Sequence, residues 1–308
     1  MNSPNDAVPG ALSPVREAGE LRVTVVICTR NRSAHLRHCL QAVSALKPPA
    51  DAVLVVDNSA GDKETEIVAR EFHARYLVED KIGLSQARNR GMVESNTEIV
   101  AYLDDDAEPD KHWLEYLLPP FADSRVASVS GWTTLPEMAG SACKNEPPRL
   151  LSNQDPQWFE IASFGGLGLG SNMALRRSVC EGIAIFHLQL GLGTPIGMGE
   201  EHYAFVSLLS RGYWAVHVPG AIVTHPASEE DVGQQAASSI AYWLMLFAEF
   251  PAHRADLLRF LWWRLRKKTL TWPRDPQTPG RVINSGWRVY MRSICCGGWL
   301  FWRTIIHR

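Results

Sequence analysis

The chain has 308 residues, 45% of them hydrophobic, and a formal net charge of −2 at neutral pH. This length and composition indicate a well-cored globular protein, with room for one large α/β domain or for one domain with a helical appendage. Six cysteines without a CxxC pair or a regular spacing argue against a disulfide scaffold and a zinc site; they predict reduced, mostly buried thiols of a cytosolic protein.

The first 20 residues are predicted to be a disordered lead-in. They are rich in Pro, Ala and Ser, carry charges throughout and contain no apolar core of a signal peptide. The domain that follows is predicted to span residues 21–230, and a basic, Trp-rich helical region to span residues 231–308.

Strand and helix signals alternate through the first hundred residues of that domain. The sequence RVTVVIC, from Arg22 to Cys28, is a β-branched run typical of a buried strand, and AVLVV at 52–56 is similar. Strands are predicted over 22–28, 52–56, 74–78 and 97–103, and helices over 34–46, 63–73 and 83–95. Such alternation predicts a parallel sheet with crossover helices.

Polar residues follow these predicted strands at the point where each strand ends. Thr29 and Arg30 follow the first strand, and Asp57 follows the second. The carboxyl ends of parallel strands form one edge of an open sheet, and ligands bind at that edge. We therefore expect these side chains to lie together, although Thr29 and Asp57 would individually also suit helix caps or turns.

Three consecutive carboxylates, Asp104, Asp105 and Asp106, are the most informative feature of the sequence. They follow the apolar run of the fourth predicted strand, in EIVAYLDDDAEPD. Acidic groups crowded at a strand end repel one another unless a cation compensates them, and oxygen ligands suit a hard divalent metal. The triplet predicts a metal that bridges phosphates of a ligand; the alternative is a solvated acidic turn before Pro109.

The pattern becomes less regular beyond residue 107. A helix is predicted over 109–118, a strand over 126–132, and a Pro-rich, polar insertion without periodicity over 136–160. The Gly-rich segment FGGLGLGSNMALRR then precedes a predicted helical start. No G-x-G-x-x-G spacing or P-loop signature is present, so nucleotide recognition is expected from the strand-end residues and the metal.

The C-terminal region has the opposite charge to the rest of the chain. From residue 251 onward there are 12 Lys and Arg against 2 Asp and Glu, and 6 of the 11 Trp residues. The sequence RFLWWRLRKKTLTW is typical of an interfacial helix on an anionic membrane; a packing helix with a solvated basic face is the alternative. Nucleic acid is not expected as a partner, because no nucleic-acid-binding motif accompanies the charge. The apolar run at 232–248 contains Gln and Ser, which favours a buried or interfacial helix over a membrane span.

Six segments, in order, resemble glycosyltransferase family 2 over about residues 21–226. The first four are VTVVICTRNRSAHLRHCL, VLVVDNSAGD, IGLSQARNRGM and IVAYLDDDAEPD, the last of which contains an Asp-x-Asp motif. GSNMALRR and MGEEHYAFVSLLSRG follow, before the VTHP that contains His225. The resemblance implies an inverting transferase with the α/β GT-A fold: a Rossmann-like nucleotide-binding half, a mixed central sheet and, here, a C-terminal helical appendage.

The resemblance also implies roles for the strand-end residues. The residues implied to bind the donor are Thr29, Arg30, Asp57, Arg88, Asp104 and Asp105. A Mg²⁺ or Mn²⁺ ion would be bound by Asp104 and Asp106, with His225 completing the site; a structural histidine near a strand end is the alternative. The cation would neutralise charge that develops on the leaving nucleoside diphosphate.

Transfer to a hydroxyl also needs a general base, on the face of the sugar opposite the diphosphate. The family places a Glu-Asp pair at the start of a helix. Here the pair is Glu200 and Glu201, with Glu201 at the position of the base, although the helix dipole alone also favours acidic residues there. Trp132 and Asn172 are predicted to line the cleft for the sugar and the acceptor.

The implied activity is transfer of one sugar from a nucleotide-diphosphate donor to a hydroxyl of a glycan or a lipid-linked acceptor. A cytoplasmic enzyme of polysaccharide biosynthesis, peripheral at the inner face of the cell membrane, is expected. One alternative is a catalytically silent nucleotide-sugar-binding module, which only the glutamate at position 201 favours. The other is a sugar nucleotidyltransferase, which would carry a Gly-rich phosphate loop where this chain has TRNRS.

Overall fold

The computed structural model describes residues 21–59, 61, 63–138, 146–226, 232–266, 296–299 and 301–302. Its strands are β1 (Val23–Thr29), β2 (Ala52–Asp57), β3 (Arg75–Val78), β4 (Ile99–Asp104), β5 (Glu108–Pro109), β6 (Val126–Thr134), β7 (Arg149–Leu151), β8 (Met173–Arg176) and β9 (Trp214–Thr224). Its α-helices are α1 (Ser33–Ser44), α2 (Lys63–Glu71), α3 (Leu84–Glu94), α4 (Trp113–Leu117), α5 (Trp158–Ser163), α6 (Glu200–Ser210), α7 (Val232–Glu249) and α8 (Arg254–Arg266).

The nine strands of the described residues form one mixed sheet. Its order is β3-β2-β1-β4-β8-β6-β9-β5, and β7 pairs with β9. The first four strands are mutually parallel and connected through α1, α2 and α3, so the predicted parallel half with crossover helices is confirmed. Beyond β4 the sheet becomes mixed, because β8 runs antiparallel to both of its neighbours, β4 and β6.

Helices cover both faces of this sheet. Every residue of β1 is buried, as expected for a central parallel strand with apolar side chains on both faces. One core contains Met92 of α3 and Phe205 of α6, and the core on the other face contains Leu40 of α1 and Trp113 of α4. The sheet is therefore held rigidly between two apolar layers, and its edge provides a fixed frame for polar side chains.

The helix predicted over 109–118 is wrong in its first part. Glu108 and Pro109 form β5, which pairs with the end of β9, and the helix α4 is confined to Trp113–Leu117. A turn precedes α4, in which the backbone N–H of His112 donates to the Asp110 carboxylate. Pairing with a strand more than a hundred residues away outweighs the local helical pattern.

Two further segments differ from the sequence-based expectation. The Gly-rich segment contains the strand β8, which was not predicted, because Met173, Ala174 and Leu175 are buried between β4 and β6. The helical start predicted after that segment is a short 3-10 helix, Arg177–Val179. The insertion predicted over 136–160 contains β7 and the beginning of α5, while its residues 139–145 lie outside the described part of the chain.

The two ends of the chain are covered only in part. The predicted lead-in, residues 1–20, and residues 267–295 lie outside the described residues, so the boundaries proposed for the C-terminal region remain predictions. The apolar run at 232–248 lies in α7, as predicted. No helix in the described ranges has the length and apolarity needed to cross a membrane.

Gly131 marks the point where β6 and β9 change register. A Cβ atom at this position would lie 1.9 Å from the carbonyl oxygen of Ala221 and 2.6 Å from the Asn172 side chain. We expect Gly131→Ala to lower the free energy of unfolding by about 1–3 kcal/mol or more, measured by urea denaturation, because backbone and a buried amide must move. Gly197→Ala is the matched control, since its Cβ would meet nothing nearer than 4.0 Å. Equal stability of the two variants would contradict this packing argument.

Candidate active site

The ends of β1, β2 and β4 bring the predicted polar residues to one edge of the sheet. Thr29 lies opposite Asp57 in the β1–β2 register, and Cys28 lies opposite Asp104 in the β1–β4 register. The expected convergence of residues distant in sequence is thus present in the structure. The remaining members of the acidic triplet continue from Asp104 into the turn after β4.

Arg88 connects this edge to the start of α6. One guanidinium nitrogen lies 2.8 Å from Asp104 Oδ1, and another lies 2.7 Å from Glu200 Oε1. The side chain of Arg88 is only 3% exposed. Burial lowers the pKa of Arg88, but the nearby carboxylates outweigh that effect and raise it, so the guanidinium stays charged. Arg88 thereby fixes the acidic triplet relative to the glutamate pair.

Replacing Arg88 by methionine should destabilise the fold by about 3–5 kcal/mol, because it leaves the carboxylates of Asp104 and Glu200 without their cation. Chemical denaturation measures this change. Arg88→Lys is the matched control and should recover only part of the loss, since one ammonium cannot donate in two fixed directions as a guanidinium does. A methionine variant of wild-type stability would show that the two ion pairs contribute nothing to the fold.

The other two carboxylates of the triplet point toward the turn after β1. Asp105 accepts a hydrogen bond from the Thr29 hydroxyl at 2.7 Å and lies 2.9 Å from Arg32. Asp106 lies 2.5 Å from a second nitrogen of Arg32. Burial raises the pKa of Asp105 to about 7, with Thr29 and Arg32 offsetting part of the rise. Arg32 is therefore a cation that two of the three aspartates share.

His225 approaches the triplet from the end of β9. Its Nε2 lies 3.0 Å from Asp106 Oδ1 and 3.5 Å from Asp104 Oδ2, and its Nδ1 lies 2.7 Å from the Pro226 carbonyl. Burial lowers the pKa of His225. Its contacts with the two aspartates, and their negative charges, outweigh burial and raise the pKa to about 10. In this state the imidazolium is a further positive charge that compensates the acidic groups.

The donor set of Asp104, Asp106 and His225 suits a divalent cation. Oδ1 of Asp106 is buried and makes no hydrogen bond of good geometry, although the imidazole faces it. The contact of Nδ1 with the Pro226 carbonyl leaves Nε2 as the ligand atom of a neutral imidazole. Among the described residues no three such side chains already surround a common centre, and Arg32 and Arg88 bind Asp106 and Asp104.

Glu200 and Glu201 differ in their surroundings although they are adjacent. The side chain of Glu200 is 7% exposed and bound to Arg88. Burial, followed by the neighbouring Glu201, raises the pKa of Glu200 to about 8, and Arg88 offsets only part of the rise. The Glu201 side chain, 13% exposed, lies 3.3 Å from His202 and is not bound to Arg88 in the structure. Of the two, Glu201 is the carboxylate that Arg88 does not bind.

The residues implied at the nucleotide base are placed at the edge in different ways. Arg30 is exposed, whereas Thr29 is buried and bound to Asp105. Asp57 is fully buried and accepts hydrogen bonds from the hydroxyls of Ser59 and Tyr76. The base of a nucleotide would therefore contact Arg30 directly. It would reach Asp57 only after a shift of the residues that cover Asp57.

Trp132 and Asn172 also lie in different environments. Trp132 is half-buried in β6, and its ring centroid is 6.5 Å from that of His217. Asn172 is fully buried: its amide donates to the carbonyls of Trp132 and Ala221, and its oxygen accepts from the Trp113 indole. Asn172 thus joins β6, β9 and α4 beneath the surface, and does not line the cleft in this structure.

Two Gly-rich runs, residues 165–170 and 191–199, allow close packing around the Arg88–Glu200 pair. A Cβ at Gly170 would lie 2.7 Å from an Arg88 nitrogen, and a Cβ at Gly191 would lie 3.0 Å from the Glu200 carboxyl. Gly191 also has a φ of +89°, which glycine adopts without strain. These runs therefore enclose a buried ion pair, which explains glycines that match no phosphate-binding motif.

Two residues that contact the predicted site were not found by sequence reasoning. Arg32 pairs with Asp105 and Asp106, and the Tyr76 hydroxyl donates to Asp57 at 2.7 Å. Arg32 lies only two positions after Arg30, so the same polar turn contains its signal. Tyr76 could not be found in this way, since its contact depends on how β3 pairs with β2.

Known proteins resemble this chain in both sequence and fold. Residues 24–183 match the sequence model of Glycosyl transferase family 2. The glycosyltransferase AglE of Haloferax volcanii is 30% identical over 213 residues, which cover 67% of this chain and 67% of that protein. The probable glycosyltransferase YdaM of Bacillus subtilis is 27% identical over 224 residues, 65% of this chain, and the match spans half of that protein's length.

A solved structure supports the fold assignment. The mannosyltransferase PcManGT from Pyrobaculum calidifontis, in complex with GDP-Man and Mn²⁺, superposes with a TM-score of 0.57 at 18% identity. The superposition covers 77% of this chain and 68% of the mannosyltransferase. The mixed sheet with its flanking helices is the GT-A fold. Because the family model matches more than half of the chain, the chain belongs to glycosyltransferase family 2.

Proposed function

We propose that this enzyme transfers one sugar from a nucleotide-diphosphate donor to an acceptor hydroxyl, with inversion at the anomeric carbon. The observation that carries the proposal is the arrangement around Arg88. On one side of its guanidinium lies Asp104 with the rest of the acidic triplet, and on the other side lies the glutamate pair that begins α6. The two sides would provide separate places for a leaving group and for a base.

The side of the triplet would bind the donor and a metal. Asp104, Asp106 and His225 would hold Mg²⁺ or Mn²⁺, whose charge stabilises the diphosphate as it leaves. Arg30 and Arg32, on the turn after β1, would provide positive charge for the nucleotide and its phosphates. Arg88 keeps Asp104 in a fixed orientation, because its guanidinium is buried and bound in two directions.

The side of the glutamate pair would activate the acceptor. Glu201 would accept the proton of the attacking hydroxyl, which makes the oxygen a better nucleophile. Burial raises the pKa of Glu201, but the contact with His202 outweighs burial and lowers it, so Glu201 would be ionised near neutral pH. Attack from this side and departure on the other is a single displacement, which inverts the anomeric carbon.

The acceptor and the location are part of the same proposal. A glycan or a lipid-linked molecule would supply the hydroxyl, and the enzyme would work as a peripheral protein at the cytoplasmic face of a membrane. Support comes from the basic, Trp-rich C-terminal region, which contains 12 Lys and Arg against 2 Asp and Glu from residue 251 onward.

Thermal unfolding with a panel of nucleotide sugars, with Mn²⁺ or with EDTA, tests the donor and the metal together. We expect one donor to raise Tm in the presence of Mn²⁺, and clearly less in EDTA, because a ligand that binds only the folded state stabilises it according to its affinity. Proton NMR of the product then reports the anomeric configuration. If no nucleotide sugar shifts Tm under either condition, or if the product retains the donor configuration, the proposal is wrong.

A further inference from the structure

The outward face of α8 carries large apolar side chains. Leu258 and Trp262 are 51% and 58% exposed, and Trp263 beside them is 48% exposed. The inward face of the same helix is also apolar: Leu257 is fully buried, and Phe260 stacks on Phe164 with ring centroids 3.8 Å apart. A surface helix ordinarily exposes its polar side, so apolar groups on both sides need an explanation.

The exposed groups form a stripe along the helix. Leu258 and Trp262 are four residues apart, so they lie above one another on the same face. Arg254, four residues before Leu258, lies in line with this stripe, and Arg259 lies beside it, according to the 100° that separates successive residues of a helix. The pair of Leu258 and Trp262 is called the apolar stripe below.

The charge around the apolar stripe is positive. Arg259 is compensated, because it lies 2.7 Å from both Glu160 and Asp256. The remainder of α8 adds Arg264 and Arg266 to its sequence and no further acidic residue. The apolar stripe is therefore followed, within the sequence of the same helix, by further basic residues.

We propose that the apolar stripe binds an anionic lipid surface, with α8 lying in the plane of the membrane. Such a surface offers an apolar interior for Leu258 and Trp262, and phosphates at headgroup depth for the cations. A nucleic acid would leave the apolar stripe in water.

The helix α7 connects this surface to the glutamate pair that begins α6. α8 packs on α7, where the Trp243 indole donates to the Leu257 carbonyl. The Tyr242 ring of α7 lies so close to Gly199, the residue before α6, that a Cβ there would be 2.7 Å from it. The inference rests on the proposed function for its meaning: a membrane bound to α8 would bring a lipid-linked acceptor to the side of Glu201.

Sedimentation of the full-length protein with lipid vesicles tests the inference. We expect binding to phosphatidylcholine vesicles containing phosphatidylglycerol to exceed binding to pure phosphatidylcholine by at least about tenfold, and to fall as potassium chloride is raised. The double variant Leu258→Gln, Trp262→Gln should lose about tenfold of this binding. The matched control is Val93→Gln, which removes a 72% exposed apolar side chain from α3 and should bind as the wild type does.

Several outcomes would overturn the inference. They are equal binding to neutral and anionic vesicles, full binding by the double variant, and a concentration-dependent dimer that the double variant abolishes without any vesicle binding.

The thermal shift by donor and Mn²⁺ is measured on every variant, and a shift equal to that of the wild type shows that the fold is intact. Should the double variant unfold, Trp262→Gln alone is tested in the same way. Loss of vesicle binding with an intact donor shift concerns only this surface, whereas loss of the donor shift in the wild type concerns the proposed reaction.

Discussion

Glu201→Gln is expected to lower kcat by about 10²–10⁴-fold, the range that a general base contributes. Glutamine keeps the size of the side chain but cannot accept the proton of the acceptor hydroxyl. The donor should still bind, since the side chain of Glu201 is not among the groups that contact the acidic triplet. Steady-state kinetics, together with the donor-induced shift of Tm, separates the loss of turnover from the loss of binding.

Glu200→Gln is the matched control for this experiment. The new amide would keep an oxygen that accepts from Arg88, at the position where Glu200 Oε1 now lies 2.7 Å from the guanidinium. We expect a smaller loss of turnover than for Glu201→Gln, because the buried Glu200 is held by Arg88 and is not the proposed base. If instead Glu200→Gln is inactive and Glu201→Gln retains activity, the roles of the two residues are exchanged.

The contrast between the two glutamates depends on contacts that the sequence does not contain. The order of the motifs predicts a base within the pair, and nothing in GEEH distinguishes which member faces a ligand. The distinction comes from Arg88, which is 112 residues away and binds Glu200 but not Glu201. A single sequence gives no information on such a pairing, since it depends on how α3 and α6 meet beneath the end of β4.

The parallel half of the fold was predictable because its signals are local. Runs such as VTVVICT in β1 are apolar on both faces, and each is followed by polar residues that must then lie at one edge. The antiparallel half was harder, since β8 consists of four residues within a Gly-rich segment. Its strand conformation is imposed by β4 and β6 on either side, so tertiary pairing decided what local sequence could not.

Asp106→Asn is expected to abolish the stabilisation of the protein by Mn²⁺ with donor, and to lower kcat by about 10²–10³-fold. The amide has the shape of the carboxylate but lacks the charge that binds the metal, and the lost stabilisation of the leaving diphosphate amounts to several kcal/mol. Binding of Mn²⁺, followed by the loss of its free EPR signal, measures the metal independently of activity.

The neighbouring Asp105→Asn is the control within the same triplet. Its carboxylate is turned toward Thr29 and Arg32, away from the oxygen atoms of Asp104 and Asp106 that face His225. We therefore expect Mn²⁺ affinity to change much less than in Asp106→Asn. A loss of Mn²⁺ binding in Asp105→Asn, with normal binding in Asp106→Asn, would show that Asp105 and not Asp106 binds the metal.

Arg32 provides a variant whose expected effect on Mn²⁺ affinity has the opposite direction. Its guanidinium lies 2.5 Å from Asp106 Oδ2, so without donor it competes with a metal for the same carboxylate. Arg32→Gln should then tighten Mn²⁺ binding by up to a few-fold, because a partly exposed ion pair contributes about 0.2–1 kcal/mol. With donor present the effect should reverse if Arg32 turns to the phosphates. Weaker Mn²⁺ binding by Arg32→Gln in the absence of donor would show that the arginine supports the metal site and does not compete with it.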